Sequence, residues 1–156
     1  MQPFLIVVLA LIALKLFAEL WLDMLNRGEV KRHAGEVPEA FRDVMDAETY
    51  KKSVSYTLTN NAFGMVSTLW DAIMLVVFLV SGLLPWLYEG LTGWLGTGLW
   101  GQALVLFIIL IALSLPGIPF ELYSTFKIEA RYGFNKTTFK LWLSDKLKGL
   151  LVGSIL

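Results

Sequence analysis

Pro119-Phe-Glu-Leu-Tyr-Ser-Thr-Phe-Lys-Ile-Glu-Ala-Arg-Tyr-Gly-Phe-Asn-Lys-Thr-Thr138 is a polar, charged stretch between two very apolar segments. From Glu121 to Tyr132, Leu122, Phe126 and Ile128 alternate with Glu121, Lys127, Glu129 and Arg131, which suits a short helix. Gly133 then predicts a left-handed residue just past that helix, where the missing Cβ removes the steric cost. Phe134 is placed to fold back onto Ile128, the apolar contact such a stop makes. Asn135 or Thr137 is a candidate N-cap for a second helix through Phe139, Leu141, Trp142 and Leu147. Helix, glycine stop, polar cap and helix predict a sharp elbow at a membrane surface.

Outward from this elbow the chain is apolar. It has 156 residues, 56% of them hydrophobic and only 17% charged. That charge content is well below a soluble domain's, and with long uncharged runs it predicts an all-α polytopic membrane protein. Formal net charge is zero, so no bulk attraction to nucleic acid or anionic lipid follows. There is no Cys, which excludes disulfides and thiolate metal sites.

Three complete spans are predicted at about 4–22, 63–88 and 99–119. The first reads as a retained anchor, since neither a basic leader nor a small-residue cleavage site is present. The segment 23–61 reads as a loop broken by Pro38, with a short amphipathic helix around Phe41, Val44 and Met45. Gly90 to Gly98 reads as a flexible turn. Its Gly96-Thr-Gly-Leu-Trp-Gly101 matches G-x-G-x-x-G in form alone, because no strand precedes it and a span follows. Pro116 and Pro119 are expected to end or kink the third span. After Lys148 the apolar run 149–156 is about 12 Å long at helical rise, too short to cross, so 147–156 reads as a fourth span begun. On that basis the chain is expected to be a fragment. Lys and Arg cluster at 27–52 and 127–148, so both charged segments are expected in the cytoplasm and the N-terminus outside.

The stretch Tyr123–Thr138 resembles a signature of the integral-membrane CAAX prenyl proteases, which are zinc metalloendopeptidases. Asp46-Ala-Glu-Thr-Tyr-Lys-Lys-Ser53 with Tyr56, and the order of spans, resemble the same family. The family has Arg after that Lys-Ser, where this chain has Val54. The resemblance extends over the whole chain but only over the family's N-terminal membrane domain. It implies a water-filled chamber within a ring of helices, zinc held by a missing downstream catalytic domain, and prenylated or membrane-protein substrates. A bacterial inner membrane or an endoplasmic-reticulum-type membrane would suit it.

The residues themselves bound the chemistry. A His-Glu-x-x-His zinc site needs two imidazoles one turn apart, and this chain has only His33. No catalytic or metal-ligating residue is therefore expected, and no cofactor in this chain. The candidate chamber-facing residues are Asp71, Lys15 and Glu19, ionisable groups within spans. Lys15 and Glu19 share a helix face, either snorkelling as a pair or buried against other helices. Asp71 is either hydrated near an interface and bonded to Ser67 or Trp70, or turned to a polar interior. The elbow candidates are Glu129, Arg131, Gly133, Phe134, Asn135, Lys136, Thr137 and Thr138. They are either structural caps or, through Arg131, Asn135 and Lys136, a dock for the missing domain or a peptide guide. The alternative function is a free-standing scaffold that binds lipid or a partner.

Overall fold

The computed structural model describes residues 3–155, and they divide into two compact units after Val77. The regular structure of the described residues is all helical, without strands. Helix α1 is Pro3–Arg32, α2 Ala47–Val80, α3 Leu83–Leu95 and α4 Leu99–Ser114. Three helical runs are long and apolar enough to cross a bilayer: Pro3–Arg32, Ala47–Val80 and Leu99–Tyr132. The expected spans 4–22 and 99–119 lie within the first and third of them, whereas the expected span 63–88 runs past the end of the second at Val80. The fourth expected span belongs to α7, Phe139–Ile155, and its last residue, Leu156, lies outside the described residues.

In the first unit, the expected loop 23–61 is mostly helix. Asp23 to Arg32 continue α1, and Ala47 to Asn61 begin α2, leaving only 33–46 as connection. Hydropathy marks where lipid ends, whereas Met, Leu, Arg, Glu and Lys keep a helix going into water. The connection holds one 3-10 turn, Glu39–Phe41, where an amphipathic helix was expected. Asp46 starts α2: its Oδ1 accepts the Thr49 N–H at 2.6 Å and its carbonyl accepts the Tyr50 N–H at 3.0 Å. These are the bonds of an N-cap. The Thr49 amide holds the Asp46 carboxyl below its ordinary value of 3.8. A depressed folded pKa gives stabilisation that is whole above that value and lost as pH falls through the folded one. The protection of the Thr49 amide, its exchange taken relative to the intrinsic rate at each pH, should therefore fall on acidification, while Asp46→Asn, still a good cap, should show no such step. An identical acid step in the Asn variant would remove Asp46 as its source.

In the second unit, Gly82 (φ 77°) breaks what hydropathy presents as one span, 63–88, so Leu83 to Tyr88 belong to α3 rather than α2. The expected Gly90–Gly98 turn narrows to Gly96, Thr97 and Gly98 between α3 and α4, which pack together. Gly101 makes this turn possible, for reasons of space. A Cβ there would lie 2.5 Å from the Leu95 carbonyl oxygen and 2.7 Å from that of Gly96.

Pro116 and Pro119 do not end the third span. The chain runs on through a 3-10 turn (Leu115–Gly117), α5 (Ile118–Tyr123), a π-helical turn (Ser124–Glu129) and α6 (Ala130–Tyr132). Each proline occupies the first turn of a new segment, where its missing N–H breaks no bond within that segment. The helix changes its winding there and continues.

Candidate functional site

Two groups of side chains stand out, one in each unit. In the first unit α1 and α2 form an antiparallel pair whose register is set by polar bonds. The Tyr50 hydroxyl donates to the His33 carbonyl (2.7 Å), Arg27 Nη1 to the Leu58 carbonyl (2.8 Å), and Asn61 Nδ2 to Asp23 Oδ1 (3.3 Å). Continuing that register places Lys15 and Glu19 level with Thr68 and Asp71. All four line one groove of about 250 Å³, walled also by Ile12, Leu16, Ala72 and Leu75.

Lys15 Nζ donates to both carboxylate oxygens of Glu19, at 2.6 and 2.7 Å. The pair is 70% and 40% exposed respectively, so as a surface pair it adds little to stability. Asp71 faces this groove one turn from Thr68 and Leu75 on α2. The groove thus carries one cation and two carboxylates within the apolar stretches of two helices, where ionisable groups generally face water or protein rather than lipid. His33 is exposed, with Nδ1 3.1 Å from the Glu29 carbonyl, and its own carbonyl holds Tyr50.

In the second unit the elbow forms as its glycine predicts. Gly133 is left-handed, with φ 79° and ψ 15°. Its N–H donates to the Ala130 carbonyl (3.1 Å), and the Phe134 N–H donates to the Glu129 carbonyl (2.9 Å). These two bonds make a Schellman stop. Ile128 is buried and Phe134 remains 54% exposed. Asn135 Oδ1 accepts the Thr137 N–H (2.6 Å) in a local turn. The cap of α7 is Thr138, not Asn135 or Thr137: its Oγ1 accepts the Leu141 N–H (3.3 Å) and its carbonyl the Trp142 N–H (2.9 Å).

Past the elbow, α7 folds back on α5. Glu121 accepts from Trp142 Nε1 (3.0 Å) and pairs with Lys146 Nζ (2.7 Å), while the Phe126 and Phe139 rings lie 6.3 Å apart. Glu121, Trp142 and Lys146, together with Thr125, Glu129, Thr137 and Asp145, border a second cavity of about 660 Å³. Of the elbow candidates, then, Glu129 and Thr137 reach it. Arg131 lies over the Tyr132 ring at 5.9 Å, and Lys136 is exposed. Glu121, Trp142 and Lys146 hold the elbow shut and were absent from the sequence candidates. The signal for them was the pairing of opposite charges across the stop, legible only once the fold-back is known. Among the described residues no group of three or more His, Cys, Asp or Glu is placed to hold a metal. With one His and no Cys the sequence cannot supply a His-Glu-x-x-His zinc site.

Comparison with known proteins bears directly on these features. Residues 26–156 match the family model described as CAAX prenyl protease N-terminal, five membrane helices. A CAAX prenyl protease 1 homolog of Caenorhabditis elegans is 31% identical over 146 residues, covering 92% of this chain and 32% of the relative. One from Oryza sativa subsp. japonica is 30% identical over 161 residues, covering 99% of this chain and 37% of the relative. The crystal structure of S. mikatae Ste24p superposes with a TM-score of 0.83 at 23% identity, over 97% of this chain and 36% of that one. The chain thus spans about a third of the length of these relatives. The chain belongs to the CAAX prenyl protease family, of which it carries the N-terminal membrane domain.

Proposed function

We propose that these residues form part of the wall of an intramembrane chamber and its substrate entrance, in a zinc metalloendopeptidase acting on prenylated or membrane-associated proteins. The zinc and its ligands belong to a catalytic part outside this chain, consistent with its single His and lack of Cys. The observation that carries the reading is the groove of Lys15, Glu19, Thr68 and Asp71. Three ionisable groups on two apolar helices gather on one face, where a lipid-facing pair would have none. Such a face suits a wet interior that admits a polar peptide backbone and its charged ends.

The test is a photoreactive prenylated peptide, presented to the protein as its gene encodes it. Adducts are expected within residues 12–19 and 68–75. Efficient labelling confined to other parts of the protein would overturn the assignment of this groove to the chamber.

The elbow completes the proposal by fixing where α7 leaves the third span, and with it the direction in which the downstream part is approached. Both basic segments face the cytoplasm and the N-terminus lies outside. The absence of native Cys makes this simple to check: a Cys at Thr97 should react with an impermeant maleimide from the non-cytoplasmic side. Labelling only from the cytoplasm would reverse the orientation.

A further inference from the structure

Helix α3 is 13 residues long, about 20 Å at helical rise and too short to cross a hydrocarbon core of about 30 Å. Its two ends are tethered to the ends of adjacent spans. The apolar part of α2 from Ala62 to Val80 covers about 28 Å and ends at Val80. The apolar run from Leu99 to Pro119 covers about 31 Å and starts at Leu99. A chain that crosses in one and returns in the other has Val80 and Leu99 at the same surface. Everything between them must be accommodated there.

The side chains of α3 divide to match. Leu83, Leu87, Leu91 and Leu95 are half-buried, α3 meets α4, and Tyr88 donates to Gln102 Oε1 at 2.9 Å within the first turn of α4. The outward side carries Trp86 and Trp94, 68% and 81% exposed, with Gly90 between them one turn from each. Trp100, at the start of α4, is 82% exposed. Indoles combine an apolar body with an N–H donor and favour the headgroup level. There is no Lys or Arg from Ser53 to Phe126, so attraction to anionic headgroups plays no part.

We infer that α3 lies in the plane of the membrane interface as an aromatic anchor, with Trp86 and Trp94 at one depth in the headgroup–acyl boundary. The partner is the lipid surface itself, continuous with the lipid around the adjoining spans. The inference rests on the chain being a membrane domain.

The test is depth-dependent quenching by brominated phosphatidylcholine, with the chain reconstituted in purely zwitterionic vesicles. Single-Trp variants retain Trp21, Trp70, Trp86, Trp94 or Trp100, with the other tryptophans changed to Phe. Shallow bromines should quench the last three most strongly, with indistinguishable depths for Trp86 and Trp94. If α3 instead dips into the bilayer alongside α4, Trp86 will lie up to about 12 Å deeper than Trp94, and the inference fails. Equal but wholly aqueous exposure of Trp86 and Trp94, with Trp21 and Trp70 still quenched by lipid, also overturns it. Loss of lipid quenching at Trp21 and Trp70 as well would instead sink the membrane-domain reading beneath it.

A second measurement avoids multiple replacement. Cys at Gly90 and at Gly93, where added atoms meet open space, carries a nitroxide whose oxygen accessibility reports depth. Similar shallow values at both support the planar helix. A deep value at either one excludes it.

Discussion

Gly101→Ala should unfold the α3–α4 turn, although alanine is the better helix former. By propensity alone the change within α4 would stabilise by about 1 kcal/mol. Space decides otherwise. The new Cβ would sit 2.5 Å from the Leu95 carbonyl oxygen and 2.7 Å from that of Gly96, and both are backbone atoms that cannot swing aside. Relief requires the two helices to part, and overpacking of this kind typically costs about 1–3 kcal/mol. It should also loosen the Gln102 contact to the Gly96 carbonyl. Gly90→Ala and Gly93→Ala are the matched controls, since both glycines lie in α3 with open space around the added atom. They should be neutral or stabilising by up to about 1 kcal/mol. Thermal unfolding in detergent, followed by tryptophan emission, reads all three. A Gly101→Ala protein as stable as these controls would contradict the geometry of the turn.

Gly133→Val should be the most damaging single change in the elbow. A β-branched side chain at φ 79° is a true outlier, and such strain costs about 1–3 kcal/mol. If the backbone relaxes to a negative φ, the bonds from Gly133 and Phe134 to the Ala130 and Glu129 carbonyls are lost instead. Gly133→Asn should be milder, because asparagine tolerates the left-handed region. Both variants leave Glu121, Trp142 and Lys146 in place, so a helix stop that sets direction is separable from the fold-back that those residues clasp. On the proposed function, proteolytic activity of the protein as its gene encodes it should fall in the order Gly, Asn, Val, with zinc content unchanged. A Val variant as active as the parent at equal expression would leave the elbow a connector with no part in the function.

The sequence and the structure agree best where a single residue type dictates geometry. Gly133 was legible because few residues other than glycine accept that backbone, and the polar run after it had to restart a helix. Which of Asn135, Thr137 and Thr138 caps α7 was not legible, because all three have the right side-chain chemistry and only the position of Phe139 selects Thr138. The three spans were legible as apolar runs, but their ends were not. α1 and α2 extend as charged helix beyond the apolar part, and Gly82 divides an apolar run whose hydropathy never falters. Of the two outcomes expected at Pro116 and Pro119, the span does not end but its winding changes, since a proline in the first turn of a segment costs no bond there.

For the candidate groove, Lys15, Glu19 and Asp71 were each visible as charges in apolar surroundings. That they share one groove was not visible. It depends on the α1–α2 register, which is set by bonds from Tyr50, Arg27 and Asn61 well outside the groove. The clasp of Glu121 with Trp142 and Lys146 was hidden for the same reason, being a contact across 21 and 25 residues of chain.

The central claim is that these residues house and admit a substrate while the hydrolytic metal is held elsewhere. The direct measurement is metal analysis, with a prenylated-peptide cleavage assay, on the purified 156-residue chain in detergent after equilibration with zinc. With one His, no Cys and no clustered carboxylates among the described residues, the chain should retain no tightly bound zinc and cleave nothing. A stoichiometric zinc that survives dialysis, or zinc-dependent cleavage by this chain alone, would contradict the account.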